Sequence, residues 1–494
     1  MQYETVIGLE VHVQLDTRSK MFCGCPADYQ AAEPNTRTCP VCLGLPGALP
    51  VINRRAVEYT MMTGLALHCS IPKFTKFDRK NYPYPDLMKG YQISQYDLPL
   101  ALDGYLEIDG DANLGHSQRR IGVERVHLEE DVAKMQHFPD GDGGDGYSLV
   151  DVNRSGVPLM EVVSKPDLRS PEEARQYLVS LHSLVQYLGV STANMQDGNF
   201  RCDANVSIRP MGSDTFGTRT EVKNMNSFHS VFQALEYEVE RQRRVIEDGG
   251  QVVQETRGWV QEREVTVSQR SKEYAHDYRY FPEPDLPPLN IGRQWVSELQ
   301  AALPELAPAR KARFQTDYIL SEYDADQLTG SRATADYFET TLSLRSSASG
   351  PDAAKEVANW MLGDLSRLLN RDHRDIADSP ISPAGLAELL GLIADGTLST
   401  SLAKTVLEEM YATGRDASAV VDEKGLAQIS DTGAIEAAVA EAIAANPKAV
   451  ADYLAGKETA ARFLMGQVMR ITKGQAQPEL ALRMVQEGLA AQQS

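Results

Sequence analysis

Four prolines within residues 280–292, YFPEPDLPPLNIG, divide the chain into two parts of different character. Regular structure is not expected to continue through this segment, because proline fixes φ and has no backbone N–H to donate. All six cysteines and fifteen of the twenty tyrosines precede residue 293, whereas the later sequence is rich in Ala and Leu at helical spacing. We therefore expect a domain boundary between residues 292 and 293.

The first part, residues 1–292, mixes strand and helix patterns. A helix is expected after Ser170, because Pro171 suits its first position and Glu173 completes a capping box. Strands that come first, with helices interleaved later, predict an α+β domain with a mostly antiparallel sheet. The predicted elements are strands over residues 3–15, 104–109 and 119–128 and helices from 170 and from about 227 to 248.

The second part is predicted to be all-α, with short connections between helices. Helix starts at Ser382, at Ser399 or Thr400, and at Asp431, with stops at Gly396 and Gly414, outline several of these helices. We expect a helical domain over residues 293–405 and a small helical tail domain over residues 406–494.

Bulk properties set limits on function. The chain has 494 residues, so two to four domains are expected. Its net charge of -20 excludes a broad basic surface but leaves room for a local basic patch. It contains no run of 18 apolar residues and no leader pattern before the first strand, so we expect a cytoplasmic protein. Residues 140–146, DGDGGDG, are expected to form a surface loop.

The first strand, YETVIGLEVHVQL, raises the question of a metal site. Simple alternation is typical of a half-solvated strand, so a wet polar face is one interpretation. The other is that Glu10 and His12, ~6.5 Å apart on one face, bind the same cation. The apolar face would carry Ile7, Leu9, Val11, Val13 and Leu15, and the polar face Gly8, Glu10, His12 and Gln14.

Three further segments carry acids in unusual surroundings. In VHLEEDVAK, residues 126–134, alternation groups Glu130 with Val126 and Leu128 and places His127 and Glu129 opposite. A carboxylate grouped with apolar residues needs a cation or a buried arginine, unless the three acids form a solvated turn.

Glu161 interrupts the apolar run in GVPLMEVVSKPD and needs a partner, either a metal ion or the nearby Arg154 or Lys165. Asp203 and Asn205 share one face of FRCDANVSIRP, where they meet a metal, ribose or phosphate, or solvent.

One histidine and several carboxylates on separate strands favour Mg²⁺ or Mn²⁺ over zinc, and Mg²⁺ accompanies nucleotide phosphates. ATP is therefore the expected nucleotide, although the sequence contains neither a P-loop nor a kinase glycine loop. The Tyr- and Lys-rich segment 77–100 is the expected binding loop. Its candidate contacts are Arg79 and Lys80 for phosphate and Asn81, Gln92, Ser94 and Gln95 for polar groups.

Two cysteine pairs and a basic tail complete the motifs. Two close pairs predict a structural zinc site, with four independent thiols as the alternative. The basic tail patch can contact RNA phosphates or complement a helix C-terminus. The cysteines are Cys23, Cys25, Cys39 and Cys42, and the basic residues are Lys457, Arg462, Arg470 and Lys473.

Several long blocks occur in a familiar order: ETVIGLEVHVQL, FDRKNYPYPDLMKGYQISQYDLP, LVDVNRSGVPLMEVVSKPD, FRCDANVSIRP, DYRYFPEPDLPPL and GQVMRITKGQA. In these blocks the chain resembles, over essentially its whole length, the B subunits of bacterial glutamine-dependent aspartyl/glutamyl-tRNA amidotransferases. The resemblance implies a kinase-like "cradle" domain, a helical domain and a YqeY-like tail that contacts tRNA. It also implies ATP and Mg²⁺ as cofactors, an amidase A subunit and a small C subunit as partners, and misacylated tRNA(Asn) or tRNA(Gln) as substrate.

Carried over residue by residue, the resemblance places the family's magnesium ligands on His12, Glu130 and Glu161, with Glu10 and Asp203 nearby. It places the loop lysine on Lys80, and the catalytic set is then Glu10, His12, Lys80, Glu130 and Glu161. The four cysteines match the zinc-bearing branch of the family. Gln196 and Asp197 depart from a more usual pair of glutamates.

Two alternatives remain. An archaeal relative specific for Glu-tRNA(Gln) carries a synthetase-like insertion, and no such insertion is visible in this sequence. A non-catalytic RNA-binding scaffold held by zinc would explain the cysteines and the basic tail but not inward-facing Glu130 and Glu161. The sequence does not select between the two tRNA substrates.

Overall fold

The computed structural model describes residues 2–138, 146–271, 278–345, 350–426, 432–472 and 474–491. The chain forms two compact units, Met1–Leu306 and Ala307–Ser494. The first is α+β around a large sheet and the second is helical, which confirms the fold class expected from the sequence. Most of the expected loop at 140–146 lies outside the described residues. None of the described helices has the length and apolar character needed to cross a bilayer.

The first unit contains fifteen described strands and four described α-helices. Strands β1–β15 are Tyr3–Gln14, Phe74–Thr75, Asp78–Asn81, Tyr91–Ser94, Ala101–Asp109, Gln118–Glu130, Lys134–Phe138, Tyr147–Asp151, Pro158–Ser164, Phe200–Pro210, Thr220–Met225, Glu255–Val260, Val265–Ser271, Phe281–Pro282 and Leu289–Asn290. Helices α1–α4 are Arg54–Ala66, Pro171–Leu188, Phe228–Glu247 and Arg293–Ala301.

Eight strands form the central sheet in the order β13-β12-β11-β10-β1-β9-β6-β5. Neighbours are antiparallel except β11 and β12, which are parallel because α3 connects them as a crossover. A small sheet, defined by the order β14-β3-β4, carries the segment that was expected to bind nucleotide. Two further pairs, β15-β2 and β7-β8, complete the unit.

One face of the central sheet packs into the core with the helices. Apolar residues of β1, including Val11 and Val13, are fully buried there together with Leu181 of α2. Helix α2 begins as predicted: the Ser170 hydroxyl accepts a hydrogen bond from the backbone N–H of Glu173. Because side chains alternate along a strand, the polar residues of β1 project from the opposite face of the sheet.

The proline-rich segment contains the short strands β14 and β15, which pair with β3 and β2. Proline is tolerated at such edges because no inward N–H is required. Helix α4 then packs against α1, where Leu299 is buried and the Arg54 guanidinium lies 5.1 Å from the Trp295 ring centroid. The compact unit therefore extends to Leu306, beyond the boundary expected after residue 292.

The second unit is built from helices around two separate hydrophobic clusters. One cluster spans Phe314 to Val421 and the other Ile435 to Leu489. The boundary expected at 405/406 falls inside helix α11, which packs in the first cluster. Helices α5–α16 are Ala307–Asp317, Glu322–Thr329, Arg332–Ser343, Pro351–Trp360, Ser366–Arg371, Pro383–Ala394, Thr400–Thr413, Ala417–Lys424, Thr432–Ala445, Pro447–Leu454, Thr459–Ile471 and Pro478–Ala490.

Candidate functional site

A row of polar side chains crosses the central sheet on the face that the core helices leave open. His12 of β1 is in register with Glu161 of β9, and Glu161 is in register with His127 of β6. On the other side of β1, His12 pairs with Arg201 of β10. Cross-strand neighbours project from the same face, so four strands present these groups side by side.

Two of these side chains, with Glu129 of β6, form what we call the carboxylate–imidazole cluster: His12, Glu129 and Glu161. One ligand atom from each lies within 4.8 Å of the others. His12 Nε2 is 3.3 Å from Glu161 Oε2 and 3.8 Å from Glu129 Oε1. Two buried carboxylates beside one imidazole make an oxygen-rich donor set that fits Mg²⁺ or Mn²⁺.

Neighbouring charges shift the pKa values of all three cluster side chains. Burial disfavours the charged imidazole of His12, but the hydrogen bond and charge of Glu161, with the charge of Glu129, raise its pKa to about 9. Burial likewise opposes ionisation of Glu161, yet His127 and His12 hold its pKa well below the usual range. The pKa of Glu129 is lowered, since His127 and Lys80 outweigh its burial.

Lys80 of β3 approaches the cluster from the small sheet. Although burial disfavours its charge, the carboxylates of Glu129 and Glu161 raise the pKa of Lys80 above its ordinary value. Its ammonium group lies 5.0 Å from the ring centroid of Tyr278 and 5.9 Å from that of Tyr82. The cluster therefore has a fixed positive charge and an aromatic wall beside it.

The structure does not bring Glu130 to this cluster. Alternation groups Glu130 with Leu128, as the sequence indicated, but that face of β6 is the core face rather than the face of His12. The Glu130 carboxylate accepts hydrogen bonds from Lys89 Nζ at 2.6 Å and from the backbone N–H of Ile93 at 3.0 Å. Glu129 takes the place that the sequence assigned to Glu130.

Sequence reasoning missed Glu129 and His127 as members of this group. Both lie on the polar side of β6, and the signal was available in β1, where Glu10 and His12 also oppose the apolar residues. Ser94, which was expected to contact nucleotide, donates a hydrogen bond to Glu129 Oε2 at 3.1 Å. Ser94 thus orients a cluster member.

A second polar group lies along the same face, beside β10. Glu10 is in register with Asp203, and the Asn205 amide donates a hydrogen bond to Glu10 Oε1 at 3.0 Å. Lys223 forms an ion pair with Asp203. Burial, with the charges of Glu161 and Asp203, raises the pKa of Glu10. These residues do meet as expected, at the edge of the carboxylate–imidazole cluster.

Other residues expected to contact nucleotide hold the small sheet in place. Arg79 binds Glu283 with two hydrogen bonds of 2.7 and 2.8 Å, which connect β3 to the segment after β14. The Asn81 amide donates to the backbone carbonyl of Arg279 at 2.9 Å. The Gln95 amide donates to the Thr75 hydroxyl at 2.7 Å, and Gln92 donates to the Glu130 carbonyl at 2.7 Å.

The four cysteines come together as the sequence indicated, and we call them the cysteine cluster: Cys23, Cys25, Cys39 and Cys42. Their sulfur atoms lie within 4.8 Å of one another, which is compatible with a structural zinc ion. A hydrogen bond from the Cys23 thiol, opposed by burial, lowers the pKa of Cys42 to about 4, and Lys20 contributes. A thiolate in this position suits metal binding.

The basic tail residues lie in the second unit. Arg462 and Arg470 are exposed on α15, whereas Lys457 forms an ion pair of 2.8 Å with Asp452. Lys473 lies outside the described residues.

Comparison with known proteins gives a consistent result. Residues 5–297 match the GatB/GatE catalytic domain, and residues 336–489 match the GatB domain labelled Yqey. The B subunit of the aspartyl/glutamyl-tRNA(Asn/Gln) amidotransferase of Dehalococcoides mccartyi is 57% identical over 492 residues, covering 99% of each chain. Proteins of the same name from Thermomicrobium roseum and Carboxydothermus hydrogenoformans are 54% and 53% identical, again over 99% of each chain.

Proposed function

Because the chain belongs to the family of aspartyl/glutamyl-tRNA(Asn/Gln) amidotransferase B subunits, we propose that its first unit activates the side-chain carboxylate of misacylated tRNA with ATP and Mg²⁺. The substrates are Asp-tRNA(Asn), Glu-tRNA(Gln) or both. Glutamine supplies the ammonia, and the chain acts as part of an ATP-dependent carbon–nitrogen ligase. Its partners are an amidase A subunit and a small C subunit, and the complex acts in the cytoplasm.

The observation that carries this proposal is the carboxylate–imidazole cluster beside Lys80. His12, Glu129 and Glu161 would hold Mg²⁺, which would neutralise nucleotide phosphate charge during transfer. The cluster lies on the polar face of the sheet, and His12, whose side chain is 21% exposed, is its most accessible member. This arrangement supports phosphoryl-transfer chemistry rather than a purely structural role.

The reaction needs two displacements. The substrate carboxylate oxygen attacks the γ-phosphorus of ATP, the bond to the bridging oxygen breaks, and ADP leaves. Ammonia then attacks the activated carbonyl carbon, phosphate leaves with the bonding electrons, and the nitrogen loses a proton to give the amide. Lys80 balances negative charge on the transferred phosphoryl group, and its aromatic neighbours limit access of water.

Other residues receive supporting roles in this proposal. Glu10, Asp203 and Asn205 form a polar wall beside the reacting groups. The small sheet is held in place by Arg79, Asn81 and Gln95, and Ser94 orients Glu129. Glu130 anchors β6 to β4. The cysteine cluster binds a structural zinc ion. Lys457, Arg462, Arg470 and Lys473 contact tRNA phosphates.

Reconstituted heterotrimer assayed on both misacylated tRNAs tests the proposal. ATP turnover is expected to require Mg²⁺ and a misacylated tRNA, and His12→Gln is expected to abolish it. His229→Gln is a matched control, because His229 is exposed on α3. If His12→Gln left amide formation at the level of this control, the proposal would fail.

A further inference from the structure

A second histidine contacts the carboxylate–imidazole cluster from the side opposite His12. His127 Nε2 lies 3.4 Å from Glu161 Oε2 and 3.8 Å from Glu129 Oε2. These distances nearly equal the 3.3 and 3.8 Å contacts of His12 Nε2. Two imidazoles therefore flank the same pair of carboxylates, and their roles need to be distinguished.

Exposure separates the two histidines. The His12 side chain is 21% exposed, whereas that of His127 is 5% exposed. His12 thus lies at the open side of the cluster, and His127 lies behind the carboxylates. A group that approaches from solvent meets His12 first.

The other ring nitrogen of His127, Nδ1, also distinguishes this residue from His12. Among the residues that the structure describes, His127 Nδ1 is buried without a hydrogen-bond partner. A histidine that ligates a metal normally donates its other N–H to a carboxylate, a carbonyl or water, which fixes the ring. His127 has no such support, so its orientation depends on the contacts of Nε2.

The contacts of Nε2 favour a hydrogen on that atom. If Nε2 carried a lone pair, it would face two carboxylates, and a buried N–H at Nδ1 would be left unpaired. With a hydrogen on Nε2, the ring places a donor atom 3.4 Å from Glu161 Oε2 and, as a longer charge contact, 3.8 Å from Glu129 Oε2. Glu129 Oε2 also accepts from Ser94, so its other oxygen, Oε1, is the one directed at His12.

We propose that His127 is a positioning residue, which holds the carboxylates of Glu161 and Glu129 through an N–H at Nε2 and does not itself ligate the cation. The inference rests on the proposed function only in that a divalent cation binds this cluster. Outer-shell partners of this kind typically change metal affinity by roughly 10- to 100-fold.

Mn²⁺ binding to the reconstituted complex, followed by electron paramagnetic resonance, tests this role without an activity assay. His127→Leu is expected to weaken Mn²⁺ binding by roughly 10- to 100-fold. His127→Gln, whose amide restores a donor near the position of Nε2, is expected to recover most of the affinity. Thermal unfolding of each variant establishes that the fold is intact, and His229→Gln serves as the control.

Pulsed resonance measurements distinguish a ligand from a positioning residue. Bound Mn²⁺ is expected to show coupling to one imidazole nitrogen, which disappears in His12→Gln and persists in His127→Gln. Coupling to two imidazoles would overturn the proposal, and so would unchanged affinity in His127→Leu or equal losses in the Leu and Gln variants. If the unmodified complex bound no Mn²⁺ at the cluster, the proposed cation site itself would be wrong.

Discussion

The cysteine cluster and the carboxylate–imidazole cluster belong to the same unit but are assembled in different ways. All four thiols come from residues 23–42, a single loop region after β1. His12, Glu129 and Glu161 come instead from β1, β6 and β9 and meet only because those strands are neighbours. The first cluster is a local feature of the sequence, and the second is a property of sheet register.

The two clusters also differ in their donors. Four thiolates can close a tetrahedral shell around zinc, which leaves no position for a substrate. Two carboxylates and one imidazole leave several positions of a Mg²⁺ ion for water or phosphate oxygens. We infer that the first cluster stabilises the fold and that the second carries the chemistry, and mutations can separate these roles.

The largest expected effect comes from Glu161→Gln. Glu161 contacts both histidines, so neutralising it removes a charged metal ligand and also the charged partner of two imidazoles. ATP-dependent amide formation is expected to fall by more than about 100-fold, beyond the loss typical of an outer-shell change. Zinc content should stay unchanged. Glu172→Gln, at a half-buried glutamate of α2 that pairs with Arg175, is the control.

Glu129→Gln and Glu130→Gln form a matched pair on adjacent positions. Glu129→Gln is expected to lower activity by roughly 100-fold with little change in melting temperature. Glu130→Gln leaves the half-buried Lys89 ammonium without its carboxylate partner, at a cost of about 3 kcal/mol, but spares the cluster. Kinetics and thermal unfolding of both variants check this. The reverse result would restore the sequence-based assignment of Glu130.

Cys42→Ser is expected to reduce bound zinc and to lower the melting temperature by several degrees, because each kcal/mol shifts it by about 2–4 °C in a unit of this size class. Amide formation at low temperature should change by less than about tenfold, since the thiols lie outside the reacting groups. Metal analysis with calorimetry measures both. Cys69→Ala, a buried thiol outside the cluster, should keep its zinc.

The smallest effect is expected for Ser94→Ala. It removes one hydrogen bond to Glu129 Oε2 while leaving every cluster ligand in place. We expect the Mg²⁺ concentration for half-maximal ATP turnover to rise by roughly two- to tenfold, in line with the roughly 0.5–1.5 kcal/mol of a typical intramolecular hydrogen bond. Ser70→Ala, at an exposed serine, is the control. An unchanged Mg²⁺ requirement would mean that Glu129 is held without Ser94.

Much of this structure was predictable from local pattern. Alternation in β1 correctly separated Val11 and Val13 from Glu10 and His12, and the cap at Ser170 began α2 as expected. Glu129 was not found, because the prediction chose Glu130, which alternates with the apolar residues of β6, whereas the register of β6 against β9 places the opposite face of β6 beside Glu161.

The features that the sequence did not predict depend on contacts between segments far apart in the chain. The small sheet depends on β14, which was not predicted because it lies in the segment with four prolines. Helix α4 packs against α1, although it follows the predicted domain boundary. The boundary at 405/406 rested on caps and stops alone, which mark where helices end but not which hydrophobic cluster they join.

The pairing of β3 with β14 has a consequence for biosynthesis. Arg79 and Glu283, which connect these two segments, are 204 residues apart in the chain. At about 5–20 residues per second, roughly 10–40 s pass on the ribosome between the two. The strand that carries Lys80 therefore emerges long before its last neighbour, so a nascent chain passes through this interval with the small sheet around Lys80 incomplete.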